Sequence, residues 1–352
     1  MRLNSLSTPQ RLAAGCGCVT VLAVVVAAIT LGYFSRKIGG RFERDLAQAP
    51  VGWTDSLRAL GRVPDLSDFL PPRDVPGDGS HVVHDTSNHW KQENFEGPYR
   101  ALLNPAQPPA PGDSAAWRLI AADTGLDRFV RAARRQEWNA TARVLGPENS
   151  VVRRNALAMP LPAYRDVRNV TRGLVIRGVM RLRRQDPEGA LEDFQAAVGL
   201  GERLLTREPT GLGLFIGRAA ISSGMRGFEI YARHQRDSAL AQRAEAVRAW
   251  ATGTPGRFTD LLIAAPESAL ALAADTTIAL GSRAEALRNA LAGWVVRPRG
   301  FLFGPPAWVE DRLDALARSP DRDFAALAAM TAATARRMHV FAIGKLMRES
   351  ER

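Results

Sequence analysis

The chain has 352 residues, of which 46% are hydrophobic and 24% are charged. This composition is typical of folded domains and excludes a mostly disordered chain. The formal net charge is +11, but the cations are spread among acidic residues and are not interleaved with aromatic side chains. The sequence therefore predicts no nucleic-acid binding.

An uncharged segment near the N-terminus is long enough to span a membrane. Residues 12–35 are 24 consecutive uncharged residues, which as a helix reach about 36 Å and exceed a hydrocarbon layer of about 30 Å. Arg11 precedes the segment, and Tyr33, Arg36 and Lys37 lie at its far end. Aromatic and cationic side chains anchor helices in the headgroup region. We expect one transmembrane helix, held in the lipid bilayer by these four residues.

A cleaved signal peptide is the alternative interpretation of residues 12–35. Such a peptide has a shorter apolar core, of about 7 to 15 residues, and a small-x-small cleavage site. The tail before the segment has no acidic residue, whereas Glu43 and Asp45 dilute the cations that follow it. Because cationic flanks tend to remain in the cytoplasm, we expect a single-pass protein of a bacterial-type inner membrane with its large domain in the periplasm.

Residues 36–112 form a juxtamembrane, proline-rich segment that we call the arm. Residues 50–111 contain ten of the 22 prolines, which disfavours continuous helix, so mostly extended backbone is expected. The arm is richer in aromatic residues than a plain linker. These aromatic residues are Trp53, Phe69, Trp90, Phe95 and Tyr99. We expect them to bury against the chain's own helical domain or, in part, against a neighbouring protein.

Three histidines and one aspartate are concentrated in the arm. His81, His84 and His89 lie within nine residues, and Asp85 lies between them. Imidazole and carboxylate groups are ligands of zinc and other divalent metals, so this cluster is a candidate metal site. The alternative is a polar loop with ordinary hydrogen bonds, since the spacing of metalloprotease ligands on a helix is missing.

Residues 113–352 are expected to form an α-helical domain of packed hairpins. Apolar residues recur there at helical spacing, and short polar punctuations separate the segments. The clearest pair of helices is predicted at about 170–184 and 187–206. Asp186 is a favourable N-cap between them, and Pro187 suits the first position of a helix.

Further helix starts are predicted from capping residues and prolines. The run from Gly211 to Gly217 superficially resembles a dinucleotide fingerprint, but it follows a helix where that motif requires a strand. Tight helix packing is the preferred interpretation of these glycines. The other predicted starts are an N-cap at Asp237, a capping box formed by Ser282 and Glu285, and a final helix from about Asp321 to Arg348. Pro266 is expected either to break or to start a helix near residue 266.

Four residues of the predicted hairpin have the spacing of a known repeat. Gly178, Ala190, Phe194 and Ala197 fall where small and aromatic residues pack in that repeat. With this spacing, residues 171–204 resemble one unit of the tetratricopeptide repeat family. The resemblance implies a helical hairpin that stacks with its neighbours, and such arrays usually serve as protein-binding scaffolds.

The sequence contains no motif that predicts catalysis. Both cysteines fall in residues 12–35, and no P-loop, nucleophile elbow or metalloprotease helix is found. We therefore expect a membrane-anchored helical scaffold or accessory subunit without a cofactor, rather than an enzyme. Its partners would be protein subunits of a membrane complex, for example a respiratory or photosynthetic assembly.

Two other hypotheses remain open. One is a membrane-anchored enzyme that depends on a divalent metal such as zinc, bound by His81, His84, His89 and Asp85. The other is a substrate-binding or envelope-maintenance factor whose helical domain recognises a peptide or polymer in a groove of its concave face.

Overall fold

The computed structural model describes seven parts of the chain, residues 62–84, 96–103, 113–145, 164–208, 211–253, 266–295 and 307–337. They are mostly helical, which confirms the all-α class. No helix within these parts combines the length and apolarity that a membrane crossing requires. The predicted transmembrane segment, with Arg11, Tyr33, Arg36 and Lys37, lies outside them.

Helices and two short strands make up the described parts. The α-helices are α1 His81–His84, α2 Glu96–Leu103, α3 Asp113–Ala121, α4 Asp127–Ala133, α5 Ala140–Leu145, α6 Tyr164–Arg183, α7 Pro187–Arg207, α8 Gly211–Gln235, α9 Ser238–Thr252, α10 Pro266–Ala274, α11 Leu280–Val295, α12 Ala307–Leu316 and α13 Arg322–Arg337. The strands are β1 Val75–Asp78 and β2 Arg135–Glu137, and 3-10 turns occupy Ser67–Phe69 and Thr124–Leu126.

Helices α6, α7 and α8 form the centre of the molecule. Each packs against the other two, α9 packs on α8, and α11 joins the pairs α10–α11 and α12–α13 to this centre. The core between the helices holds fully buried apolar side chains, including Leu174, Phe194, Leu200 and Phe228. Burying such side chains stabilises the helices far more than their intrinsic propensities do.

The connections α6–α7 and α8–α9 have the same local structure. Gln185 and Arg236 adopt positive φ angles of 62° and 60°, and the next residue is an aspartate that caps the following helix. Asp186 accepts a hydrogen bond from the Gly189 N–H at 2.9 Å, and Asp237 accepts one from Leu240 N–H at 2.9 Å. Both N-caps were predicted from the sequence and are confirmed.

Helices α7 and α8 approach each other at backbone distance. A Cβ added at Gly201 would lie 2.7 Å from the carbonyl oxygen of Gly217, and the reverse substitution gives the same 2.7 Å. The glycine run that resembles a dinucleotide fingerprint therefore lies in helix α8, in agreement with the preferred interpretation of tight packing. Glycine is required there because any side chain would push the helices apart.

The first described part of the arm, residues 62–84, packs on the helical centre. The Phe69 ring is buried with its centroid 5.0 Å from that of Phe228, in an edge-to-face arrangement. Further along, β1 pairs in parallel with β2, in the register Val75 with Arg135 and Asp78 with Glu137. The arm is thus held by side-chain packing at one point and by backbone pairing at another.

The second part of the arm departs from the expectation of extended backbone. Residues Glu96–Leu103 form helix α2, which packs against α3 and α6. Pro98 is its third residue, within the first turn, where backbone N–H groups have no acceptor inside the helix. Proline therefore costs little there. Tyr99 is half-buried in this helix, while Trp53, Trp90 and Phe95 lie outside the described residues.

One predicted helix start is wrong, and two others agree with the structure. Helix α11 begins at Leu280, two residues before Ser282, and both Ser282 and Glu285 are fully buried inside it. They form no capping box, because the helix continues on their N-terminal side. Helix α10 starts at Pro266, which is one of the two outcomes expected for this proline. The backbone N–H of Phe324 donates to Asp321 at 3.2 Å, ahead of α13, whose described part ends at Arg337.

Candidate functional site

The predicted metal ligands fall only partly within the described residues. His81 begins helix α1, and its Nδ1 lies 3.0 Å from the backbone oxygen of Asp78. His84 follows one helical turn later, but its side chain, Asp85 and His89 lie outside the described residues. Within the described parts, no three His, Cys, Asp or Glu side chains are grouped as metal ligands.

A hydrogen-bond network centred on Asp78 surrounds the start of α1. The Asp78 carboxylate accepts bonds from the backbone N–H groups of Ser80 and Asn139 and from Arg143 Nε, at 2.9, 2.9 and 3.0 Å. Burial raises the pKa of Asp78, but the bonds from Asn139, Ser80 and Arg143 outweigh burial and lower it. The carboxylate therefore remains ionised and joins β1 to the segment after β2.

The buried Ser80 hydroxyl in this network is not activated as a nucleophile. Ser80 Oγ donates to the Asp78 carboxylate at 2.9 Å and accepts from Arg143 Nε at 2.8 Å. No histidine contacts the hydroxyl in the described residues, and the Asp78 carboxylate that accepts its hydrogen bond has a lowered pKa and is therefore a weak base. The arrangement is best explained as a support for the turn between β1 and α1.

The four residues that resemble the tetratricopeptide repeat lie between α6 and α7. Ala190, Phe194 and Ala197 are fully buried. A Cβ added at Gly178 would overlap the ring of Phe194. The ring thus fills the space that the missing side chain leaves on α6, and the four residues have a packing role in this hairpin.

A buried ion pair beside this contact could not be recognised in the sequence. Arg177 contacts the Asp193 carboxylate through Nη2 at 2.6 Å and Nε at 3.1 Å, and its Nη1 lies 2.7 Å from Asp127. Arg181 Nη1 lies 3.2 Å from Asp193 on the other side. Burial raises the pKa of Asp193 to about 6, although both arginines act to lower it. This network lies inside the hairpin, so its role is structural.

Among the described residues, one charged group that reaches the surface is a set of three arginines around one carboxylate. We call Glu229, Arg226, Arg233 and Arg248 the Glu229 cluster. Arg226 Nη1 lies 2.6 Å and Arg233 Nη2 lies 3.6 Å from Glu229 Oε2, and Arg248 Nε donates to Glu229 Oε1. The Glu229 side chain is 6% exposed, whereas those of Arg226, Arg248 and Arg233 are 30%, 31% and 65% exposed.

A fourth arginine lies behind the cluster, where α2 meets α6 and α8. The Arg172 guanidinium is 5.7 Å from the ring centroid of Tyr99, a distance at which cation and ring attract each other. Burial raises the pKa of Tyr99, so its phenol, which hydrogen bonds with Ser223, stays protonated. Arg226 also approaches the carbonyl oxygen of Leu103 at 3.5 Å, near the end of α2.

The charge of the Glu229 cluster is unbalanced. Three guanidinium groups surround one carboxylate there. Glu229 is occupied by arginine contacts and the Tyr99 phenol is protonated. The arrangement is therefore suited to bind an anionic group and poorly suited to nucleophilic or base catalysis.

Comparison with known proteins adds no assignment. The chain matches no protein-family model, and neither the curated proteins nor the solved structures compared with it give a match. The resemblance of residues 171–204 to a tetratricopeptide repeat therefore rests on the four packing residues alone.

Proposed function

We propose that this protein is a membrane-anchored helical scaffold or accessory subunit that binds and stabilises other proteins of a membrane complex. Residues 12–35 would form its single transmembrane helix in a bacterial-type inner membrane, with the helical body in the periplasm. A respiratory or photosynthetic assembly is one natural host for such a subunit.

The observation that carries the proposal is the combination of packed helical hairpins with a positively charged cluster at their surface. Helices α6 to α9 bury their apolar faces against one another and leave Arg226, Arg233 and Arg248 partly exposed. Helical arrays of this kind offer extended surfaces for protein binding. The arm supports the same interpretation, because its contacts with the body link the proposed anchor to the binding surface.

Fractionation and co-purification test this proposal. The tagged full-length chain, expressed at its native level, is expected in the membrane fraction after an alkaline wash. Mild detergent should then release it together with stoichiometric protein partners identified by mass spectrometry. A matched variant that lacks residues 12–35 should leave the membrane fraction. Recovery of the wild-type chain as a lone monomer, or as a freely soluble form that starts after Phe34, would contradict the proposal.

A second candidate function is a metal-dependent enzyme that uses the histidines of the arm. The observation in its favour is that His81 and His84 are the first and last residues of helix α1, about one helical turn apart in the backbone. Metal analysis of the purified chain decides this question. Stoichiometric zinc that disappears in a variant with His81, His84 and His89 all changed to Ala would support it, and metal-free wild-type protein would exclude it.

A further inference from the structure

We infer that the Glu229 cluster binds an acidic segment of a partner protein, through its three arginines. The inference rests on the proposed function and specifies the site and the chemistry of the partner. Arg226, Arg233 and Arg248 would supply the binding contacts, and Glu229 would hold them in place.

The Glu229 cluster has more positive charge than is needed to neutralise the Glu229 carboxylate. One carboxylate needs one cation for neutrality, but Glu229 faces three, so the cluster has an excess of two positive charges. Like charges brought together on one surface repel each other, and an anionic ligand relieves that repulsion. A site with this imbalance selects anions.

Glu229 also prepares the arginines for binding. Its side chain is nearly buried on α8, and it contacts Arg226 and Arg233 on the same helix and Arg248 on α9. An arginine that is already restrained loses less conformational entropy when a ligand arrives. The carboxylate thus gathers long, flexible side chains from two helices into one place.

Among the three arginines of the Glu229 cluster, Arg233 is the most available to bind a ligand. It is 65% exposed, and its contact of 3.6 Å with Glu229 is an ion pair beyond hydrogen-bond length. A guanidinium has five N–H donors in a planar fork that fits a carboxylate in a bidentate manner. Arg233 can therefore bind a carboxylate of a partner without losing a hydrogen bond to Glu229.

An acidic protein segment suits this surface better than a small anion. The exposed fractions rise from 30% at Arg226 to 65% at Arg233, so the cations spread over an open surface of α8 and α9. Arg226 and Arg233 are seven residues apart in α8, about 10 Å along the helix axis, a distance that an extended peptide covers in about three residues. Two or more carboxylates of one segment would match this spread.

Binding of a labelled acidic peptide tests the inference. The probe is a fluorescein-labelled peptide of ten glutamates, and the readout is fluorescence anisotropy with the full-length chain in nonionic detergent at low salt. We expect saturable binding that Arg233→Glu weakens about tenfold, because the change replaces an attraction with a repulsion. Arg233→Lys should retain most of the affinity.

Arg312→Glu in α12 is the matched control. Arg312 is exposed, and the variant has the same change in net charge as Arg233→Glu. It should alter the affinity less than about twofold, because screening weakens distant surface charges. Equal weakening by the two variants would mean general charge attraction and would overturn the inference. Unchanged binding in Arg233→Glu, with an unchanged thermal unfolding curve, would also overturn it.

Further measurements distinguish an acidic peptide from other anionic ligands. They also distinguish failure of this inference from failure of the proposed function. Vesicles with phosphatidylglycerol and solutions of inorganic phosphate replace the peptide. If either binds in an Arg233-dependent manner while the peptide does not bind, the site recognises lipid or phosphate and the inference is wrong. If co-purified partners persist but the peptide result fails, only this inference fails. If wild-type protein has no partners, the proposed function itself fails.

Discussion

Arg177 and Asp193 form a buried bidentate ion pair that joins helix α6 to helix α7. The Arg177 guanidinium is 3% exposed and the Asp193 carboxylate is fully buried, so bulk water does not solvate either charged group. Removing one member of such a pair leaves a buried charge without its partner, whereas replacing both with apolar residues is much less costly. The pair therefore fixes how the two helices align, at the point where Arg177 also reaches Asp127.

Substitution of one partner of the pair should destabilise the fold strongly. We expect Asp193→Leu to lower the free energy of unfolding by about 3 kcal/mol, because Arg177 then keeps only the half-exposed Asp127 carboxylate and the backbone oxygen of Asp123. The double variant Arg177→Met with Asp193→Leu should recover at least half of that loss. Urea unfolding of the chain in detergent, followed by circular dichroism, measures both values. Additive effects of the two substitutions would contradict the coupling.

The pH dependence of stability should depend on Asp193. Burial raises its pKa from 3.8 to about 6, so between these values the folded chain binds more protons than the unfolded chain. Its contribution is therefore most favourable below pH 3.8 and is lost as the pH rises through 6, by up to about 3 kcal/mol. Asp193→Asn removes this group. Wild-type stability measured relative to that variant should fall between pH 4 and 7, and a rise would contradict the prediction.

Gly178 should tolerate no side chain, in contrast to Gly97. In Gly178→Ala the new methyl group would overlap the Phe194 ring, so we expect a loss of about 1 to 3 kcal/mol despite the better helix propensity of alanine. Gly97 has nothing within 4 Å of its Cβ position, so Gly97→Ala should be neutral or slightly stabilising. Thermal unfolding of both variants provides the comparison. Adding Phe194→Leu should rescue Gly178→Ala in part, and no rescue would argue against the ring contact.

Phe69 should be the main apolar attachment of the arm. Its ring is buried against Phe228, so Phe69→Ala should cost about 3 to 5 kcal/mol. The loss should make residues 62–84 more susceptible to limited proteolysis, which mass spectrometry of the fragments detects. Leu119→Ala is the control, since Leu119 is 67% exposed and its loss should change stability by less than about 0.5 kcal/mol. Equal protease resistance of Phe69→Ala and wild-type chains would contradict the attachment.

Gln185 occupies a backbone conformation that suits glycine better. Its φ of 62° lies in the left-handed region, which costs a residue with a Cβ about 1 kcal/mol or more. Gln185→Gly should therefore stabilise the chain by about 0.5 kcal/mol after the larger entropy loss of glycine is subtracted. Gln185→Ala keeps the Cβ and should bring no gain. A Gly variant no more stable than the Ala variant would refute this account.

The sequence predicts those parts of the fold that depend on local signals. The hairpin α6–α7 and the caps at Asp186 and Asp237 were predicted because each depends on a few neighbouring residues. Helix α2 was missed because the high proline content of residues 50–111 predicts extended backbone, whereas Pro98 lies in the first turn of a helix, where proline is tolerated. Strand β2 has three polar residues and no alternation of polar and apolar side chains, so its own sequence does not predict a strand. It is a strand because it pairs with β1.

The candidate site depends on contacts that local patterns do not reveal. Arg177 and Asp193 look like surface charges in the sequence, and their burial follows from the way α6 lies against α7. Glu229, Arg226 and Arg233 have the helical spacing of an ordinary ion-pair network. Only the approach of Arg248 from α9 shows that one carboxylate faces three cations.

The arm's attachment also has a consequence for biosynthesis. Arg73 of the arm bonds to Glu202 of α7 at 2.9 Å, and these residues are 129 positions apart. At a synthesis rate of about 5 to 20 residues per second, the nascent arm waits roughly 6 to 25 s for the helix on which it docks. During that interval the ring of Phe69, which in the folded chain packs against Phe228 of α8, lacks its final cover.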